Sequence, residues 1–347
     1  VVLLLQAALG VAVRREWVGL RDPLYAHKAA LLRAQLARPG AQRPFSVVML
    51  GSSRTAFGLN SRPLGEQLTR DLGRPVAVFN FGVPAAGPVT ERLYLDRLLA
   101  DGLRPDLLLV EVLSPFLFGG SEPPEKEWLL PRRLRPSEFA LANRYALYLP
   151  RPVRGRELFP WYAHRAALLS AVAPGWLPGA QRIDGGPACD EAGGPAEPID
   201  AISPELAVRG LEITRRQYAG LVGHGRPGGP AAQTVADLLA SCRARGVPAA
   251  VVLMPEARAF RGWYSPAGRA ELIGLLEDVG RRCDAPLIDA SEWVPDDRFA
   301  DGHHLLPRGA AVFSERLGRE ALGPLIRTRL PRTPPHPGPG ARDPHGH

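Results

Sequence analysis

Four short apolar runs, spaced by helix-length segments, limit what this chain can fold into. FSVVML at 45–50, VAVFNFG from Val76, DLLLVEVL at 106–113 and AAVVLM at 249–254 lack a continuous polar face. A strand that is apolar on both faces belongs in a sheet covered on both sides, which is the situation of parallel sheets in α/β proteins. Helical periodicity occupies 61–71 and about 89–101 between the first three runs. Further helical stretches lie at 22–38, 205–222, 230–245 and 266–282. A short strand PLIDA at 286–290 and a last helix from Pro307 to about Leu322 follow. Strand, helix, strand with short connections predicts a three-layer α/β/α sandwich with a mostly parallel sheet.

The rhythm breaks between 115 and 208, a stretch rich in Pro, Gly and Arg that also carries Phe116, Phe118, Trp128, Phe139, Tyr145, Tyr148, Phe159, Trp161, Tyr162 and Trp176. Disordered segments are poor in aromatics, so 115–208 is expected to be a cap-like insertion over the carboxyl edge of the sheet, with 184–200 its least ordered part. The α/β domain then covers 21–325. The Pro/Gly/His-rich tail, taken from 326 to 347, is expected to be disordered. At the other end VVLLLQAALGVAV runs into Arg14-Arg15. Thirteen residues rise only about 20 Å, against a hydrocarbon core of about 30 Å. Residues 1–20 are therefore read as the visible end of a longer hydrophobic signal anchor that tethers an extracytoplasmic domain to the membrane, a buried N-terminal helix being the alternative.

Charge excludes one class of partner. The balance is +8, but only Lys28 and Lys126 are lysines, and arginines alternate with acids along most of the chain. A nucleic-acid binder gathers positive charge in a stripe beside stacking aromatics, so no nucleic-acid partner is expected. Cys189, Cys242 and Cys283 have no CxxC spacing and no neighbouring histidine cluster, which excludes a zinc or thioredoxin-like site. Whether Cys242 and Cys283 pair is left open. No cofactor and no metal are expected.

Three motifs fall where chemistry is expected. Gly51-Ser52-Ser53-Arg54 follows the first strand, at the carboxyl edge where open α/β sheets place ligands. Asp301-Gly302-His303-His304-Leu305 precedes the last helix; His304 can act as general base, with Asp301 steering its ring, while His303 should point elsewhere. Asn80-Phe81-Gly82 follows the second strand and offers an amide and an unobstructed N–H. Each motif alone is an ordinary turn or cap; the serine and the DxxH become informative together, because both belong on one edge of one sheet.

GSS at 51–53, NxG at 80–82 and DxxHL at 301–305 resemble blocks I, II and V of the SGNH (GDSL-like) hydrolase superfamily, whose sandwich is flavodoxin-like. GSSR, Leu113-Ser114-Pro115 and Met254-Pro255-Glu256 resemble a membrane-associated envelope branch of it, related to alginate O-acetylation and teichoic-acid D-alanylation proteins. The resemblance covers roughly 45–115 and 248–322. It implies Ser53 as nucleophile, Asp301 and His304 as triad acid and base, and an oxyanion hole from Ser53, Gly82, Asn80 and Ser114. Arg54, Pro255, Glu256, Trp263 and Tyr264 would line the substrate pocket. One departure stands out: EVLSPF replaces the block III Gly-x-Asn-Asp, and one lost oxyanion donor costs about 2.7–4 kcal/mol in the transition state.

The function so implied is a serine esterase or O-acyltransferase acting on acyl or acetyl esters of a cell-envelope carbohydrate. Its partners would be an acylated carbohydrate or envelope polymer and a membrane-bound acyl-donor protein. The alternative is a noncatalytic SGNH-fold component of a complex that modifies an envelope polysaccharide.

Overall fold

The computed structural model describes residues 2–14, 21–37, 43–129, 131–149, 159–177, 189–195 and 201–329. Five parallel strands form one sheet in the order β2-β1-β3-β4-β5: β1 (Phe45–Gly51), β2 (Val76–Gly82), β3 (Leu107–Glu111), β4 (Ala249–Leu253) and β5 (Leu287–Asp289). Every residue of β1, β3 and β4 is buried, as their two-faced apolar runs require. One core, including Val48, Leu50, Leu108 and Val110, packs on one face; the other, including Val47, Met49, Leu107 and Leu109, packs on the opposite face. The alternation of side chains along each strand assigns them to the two layers. This is the three-layer α/β/α sandwich expected from the sequence.

Strand order 2-1-3 puts a topological switch between β1 and β3, because the connection from β1 runs to β2 on one side and that from β3 runs to β4 on the other. Open α/β sheets bind ligands outside the carboxyl ends of the strands at such a point. Helix α1 (Val2–Arg14) comes first in the chain, α2 (Pro23–Leu36) precedes β1, α3 (Ser53–Gly58) and α4 (Ser61–Leu72) connect β1 to β2, and α5 (Pro88–Ala100) connects β2 to β3. Proline at the first turn of α2 and α5 lies where its missing N–H interrupts no bond.

Parts of the 115–208 segment are built into the domain. Glu125, fully buried, accepts from the N–H groups of Gly87, Val89 and Thr90 and from the Thr90 hydroxyl, and so caps α5. Phe116, Phe118, Phe139 and Tyr145 join the core, whereas Trp128, Tyr148, Phe159, Trp161, Tyr162 and Trp176 are exposed. The short turn 189–195 runs beside the edge strand β2, whose Asn80 N–H donates to Ala192 O at 2.8 Å. Most of the 184–200 stretch expected to be least ordered lies outside the described residues, as does 330–347. The chain stays helical through Arg329 and Ile326 is fully buried, so the last helical layer runs past the boundary expected at 326.

The expected membrane segment is corrected. Among the described residues no helix is long and apolar enough to cross a membrane. Helix α1 has 13 residues and packs on the helix Pro160–Val172, where Trp161 N–H donates to Gln6 Oε1 at 3.1 Å. Neither the signal-anchor reading nor the tethered location is supported by a helix this short. The core alternative fails too, since Val2, Leu3, Leu4 and Leu5 are exposed. No disulfide joins Cys242 and Cys283, which answers the question left open for them.

Candidate active site

Ser53 opens α3 directly beyond the end of β1. Ser52 is the N-cap, its hydroxyl accepting from Arg54 N–H at 3.1 Å. As the first helical residue, Ser53 has an N–H with no intrahelical acceptor. Its Oγ lies 2.7 Å from His304 Nε2, across 251 positions of sequence. His304 Nδ1 is 2.7 Å from Asp301 Oδ2, and Asp301 Oδ1 accepts from His304 N–H at 2.9 Å and from His303 N–H at 3.2 Å. The loop is closed by a bridge between Phe299 and Leu305 and by Ala300 N–H to His304 O. Gly302 permits the tight turn with φ of 93°.

Burial pushes the Asp301 carboxyl toward protonation, but hydrogen bonds and charge from His303 and His304 outweigh it and hold the carboxyl well below the usual carboxylate range. An ionised Asp301 facing Nδ1 favours the tautomer with its proton on Nδ1, leaving Nε2 to accept from Ser53. His303 was expected to point elsewhere, and it does so inward: it is buried, edge-on to Tyr218 and 4.0 Å from the His304 ring centroid. Burial, then repulsion from His304, pushes its pKa down to about 4. Its Nδ1 sits 3.2 Å from Asp301 Oδ1, the oxygen that also accepts from the His303 and His304 N–H groups.

The expected oxyanion donors are corrected, because their polar groups are already engaged. Gly82 N–H donates to Asn80 Oδ1 at 2.9 Å, while Asn80 Nδ2 donates to the carbonyls of Thr55, Ala56 and Leu59 at 2.9–3.1 Å. Asn80 thus serves the carbonyl end of α3. Gly82 is small because α3 crosses it: a Cβ there would collide with Ala56 N and lie 2.6 Å from Ala56 Cα. Ser114 Oγ lies 2.8 Å from Glu256 Oε1 and 2.7 Å from Tyr264 Oη. Of the four residues assigned to the hole, only Ser53 keeps an N–H at the serine itself.

The expected pocket lining is corrected in the same way. Arg54, 1% exposed, donates to Met254 O and Pro255 O and pairs with Glu256 at 3.4 Å. Glu256, Pro255 and Tyr264 are buried with it, and Trp263 is half-buried against Phe260 at 4.8 Å. Arg54 thus ties α3 to the end of β4, and the buried Tyr264 ring is closed to a substrate. The aromatic beside the reacting groups is Phe57, one helical turn from Ser53, whose ring meets His304 edge-on at 6.0 Å.

Sequence reasoning missed Glu111. This carboxylate, fully buried at the end of β3, accepts from Ser52 N–H, Ser52 Oγ, Thr55 N–H and Thr55 Oγ1. The signal was an acid inside an otherwise apolar strand, DLLLVEVL, which can be buried only with partners. For a cation, Asp301, His303 and His304 bring donor atoms within 4.8 Å of one another; an ion there would displace the hydrogen bonds that Asp301 makes to His304.

No family model matches the chain, and no curated protein matches it. Among solved structures it is similar to a gut microbial diltiazem-metabolizing enzyme, at 12% identity and a TM-score of 0.34. The match covers 84% of this chain and 49% of that one, so this chain spans about half the length of that enzyme.

Proposed function

We propose that the protein is an SGNH-type serine esterase or O-acyltransferase, with Ser53 as nucleophile, His304 as general base and acid, and Asp301 as the group that orients it. The supporting observation is the unbroken line Ser53 Oγ, His304 Nε2, His304 Nδ1, Asp301 Oδ2 with 2.7 Å at both hydrogen-bonded steps. Ser53 Oγ attacks an ester carbonyl while its proton passes to Nε2. The tetrahedral intermediate collapses as the alkoxide leaves with that proton, and the acyl group remains on Ser53. Water resolves the acyl-enzyme in an esterase, and a sugar hydroxyl does so in a transferase. The Ser53 N–H is the donor nearest the new oxyanion. The substrate class we favour is an acylated carbohydrate, with an acyl-donor protein as partner in the transferase case.

The engagement of Ser114 with Glu256 and Tyr264 favours a second reading, a noncatalytic SGNH-fold component of a polysaccharide-modifying complex. A fluorophosphonate probe separates the two. The catalytic reading expects one adduct, on Ser53, and loss of both adduct and p-nitrophenyl acetate cleavage in Ser53→Ala. Undiminished cleavage in that variant would overturn it.

A further inference from the structure

We infer that Glu111 is a positioning residue for Ser53, and that Gly51, Ser52 and Thr55 are the receptor built for its carboxylate. The inference rests on the reading of Ser53 as nucleophile. The β1–β3 register aligns Leu50 with Val110, which sets Glu111 beside Gly51 across the topological switch. Its Oε2 lies 2.9 Å from Ser52 N, 3.0 Å from Thr55 N and 2.5 Å from Thr55 Oγ1; its Oε1 lies 2.7 Å from Ser52 Oγ. The bonded N–H groups flank Ser53 in the chain, one before it and one two residues after it. Both serve a single carboxylate, so the backbone between them is held at two points.

Glycine at 51 is required by this arrangement. A Cβ on Gly51 would collide with Thr55 Oγ1 and Glu111 Oε2 and lie 2.8 Å from Glu111 Cβ. Gly-Ser-x-x-Thr is therefore one device: a residue without a side chain admits the carboxylate, and two hydroxyls with two N–H groups saturate it. A buried carboxylate is tolerated where its oxygens are hydrogen-bonded, and this one meets four donors. Its effect on Ser53 is geometric. The Ser52 and Thr55 hydroxyls are fixed on Glu111, and the Ser53 side chain is left to face His304. A misplacement of about 1 Å in such a constellation can cost about a hundredfold in rate.

The test compares wild type with Glu111→Gln and Thr55→Val. The first keeps the volume but turns an NH2 toward donors; the second removes one hydroxyl and keeps the Thr55 N–H bond. Active sites are counted with the fluorophosphonate, and kcat and KM for p-nitrophenyl acetate are expressed per labelled site. Positioning expects kcat per site to fall about tenfold or more in Glu111→Gln and several-fold in Thr55→Val, with KM within about twofold. A purely structural Glu111 would lower the number of labelled sites and leave kcat per site unchanged in both variants, which would overturn the inference while the Ser53 reading stood. A wild type that takes no adduct on Ser53 would overturn both.

Discussion

Beneath the reacting groups, His303 offers a stability measurement that needs no substrate. The imidazole is 6% exposed, and burial with the neighbouring His304 pushes its pKa from 6.5 to about 4. In the unfolded chain it binds its proton as pH falls through 6.5, and in the native state only near 4. Between those values the unfolded state holds about one more proton, so unfolding becomes easier as pH falls. The contribution is fully present above pH 6.5 and is lost through the window down to 4. At about 1.4 kcal/mol per unit, the interval corresponds to about 3 kcal/mol. The perturbation is His303→Leu, close in volume and without a titrating group. Urea unfolding followed at pH 7.5, 6.5, 5.5 and 4.5 gives both stability curves. Other titrating groups also shape the wild-type curve, so the informative quantity is the difference between the curves. Wild type should lose about 2.5 kcal/mol more than the variant between pH 7.5 and 4.5. Asp301, held well below the usual carboxylate range, titrates below this window in the wild type, and in the variant it keeps both hydrogen bonds to His304. Parallel curves, agreeing within about 0.5 kcal/mol, would refute a buried neutral His303.

Arg54→Met should destabilise by about 3 kcal/mol, because Glu256 would remain buried with the more distant Arg269, 3.8 Å away, as its cation; chemical denaturation checks this, and a near-neutral change would refute the role of Arg54 in holding α3 to the end of β4. Gly82→Ala should destabilise by about 1–3 kcal/mol through overpacking, since α3 must move away from β2. Chemical denaturation checks this, and a change within about 0.5 kcal/mol, as at an ordinary surface site, would refute the close approach of α3 to β2.

What the sequence made legible follows from where the physics is one-dimensional. The runs at 45–50 and 106–113 read as strands because a strand buried on both faces has no polar alternation to hide. The pairing of Ser53 with His304 was legible because, once the sheet is parallel, the end of β1 and the loop before the last helix share an edge. Which way a polar group turns is another matter. Asn80 and Gly82 lie on the expected edge, yet Asn80 finds three carbonyls at the end of α3 and its own oxygen takes the Gly82 N–H. Arg54 adjoins Ser53 in sequence, but the helix carries its guanidinium inward to the β4 carbonyls. Such competition among acceptors depends on contacts 20 to 200 residues away and leaves no local signature.

Two adjacent serines raise a question that a motif alone leaves open, and the geometry answers it. Ser52 Oγ donates to Glu111 and accepts from Arg54 N–H, so its proton and a lone pair are both committed within the turn. Thr55 Oγ1 also donates to Glu111. Ser53 Oγ is the hydroxyl of this turn that meets an imidazole, and the meeting joins halves of the chain 251 residues apart. Around it α3 is held from three sides: by Glu111 of β3 at its first turn, by Asn80 of β2 at its carbonyl end, and by the contacts of Arg54 with the end of β4. A six-residue helix has little intrinsic stability, so its orientation is set by these three anchors. Ordinary surface caps do not need two buried carboxylates and a buried amide to fix one turn. The rigidity around Ser53 exceeds what joining β1 to α4 demands, and it is what a nucleophile aimed at one nitrogen requires.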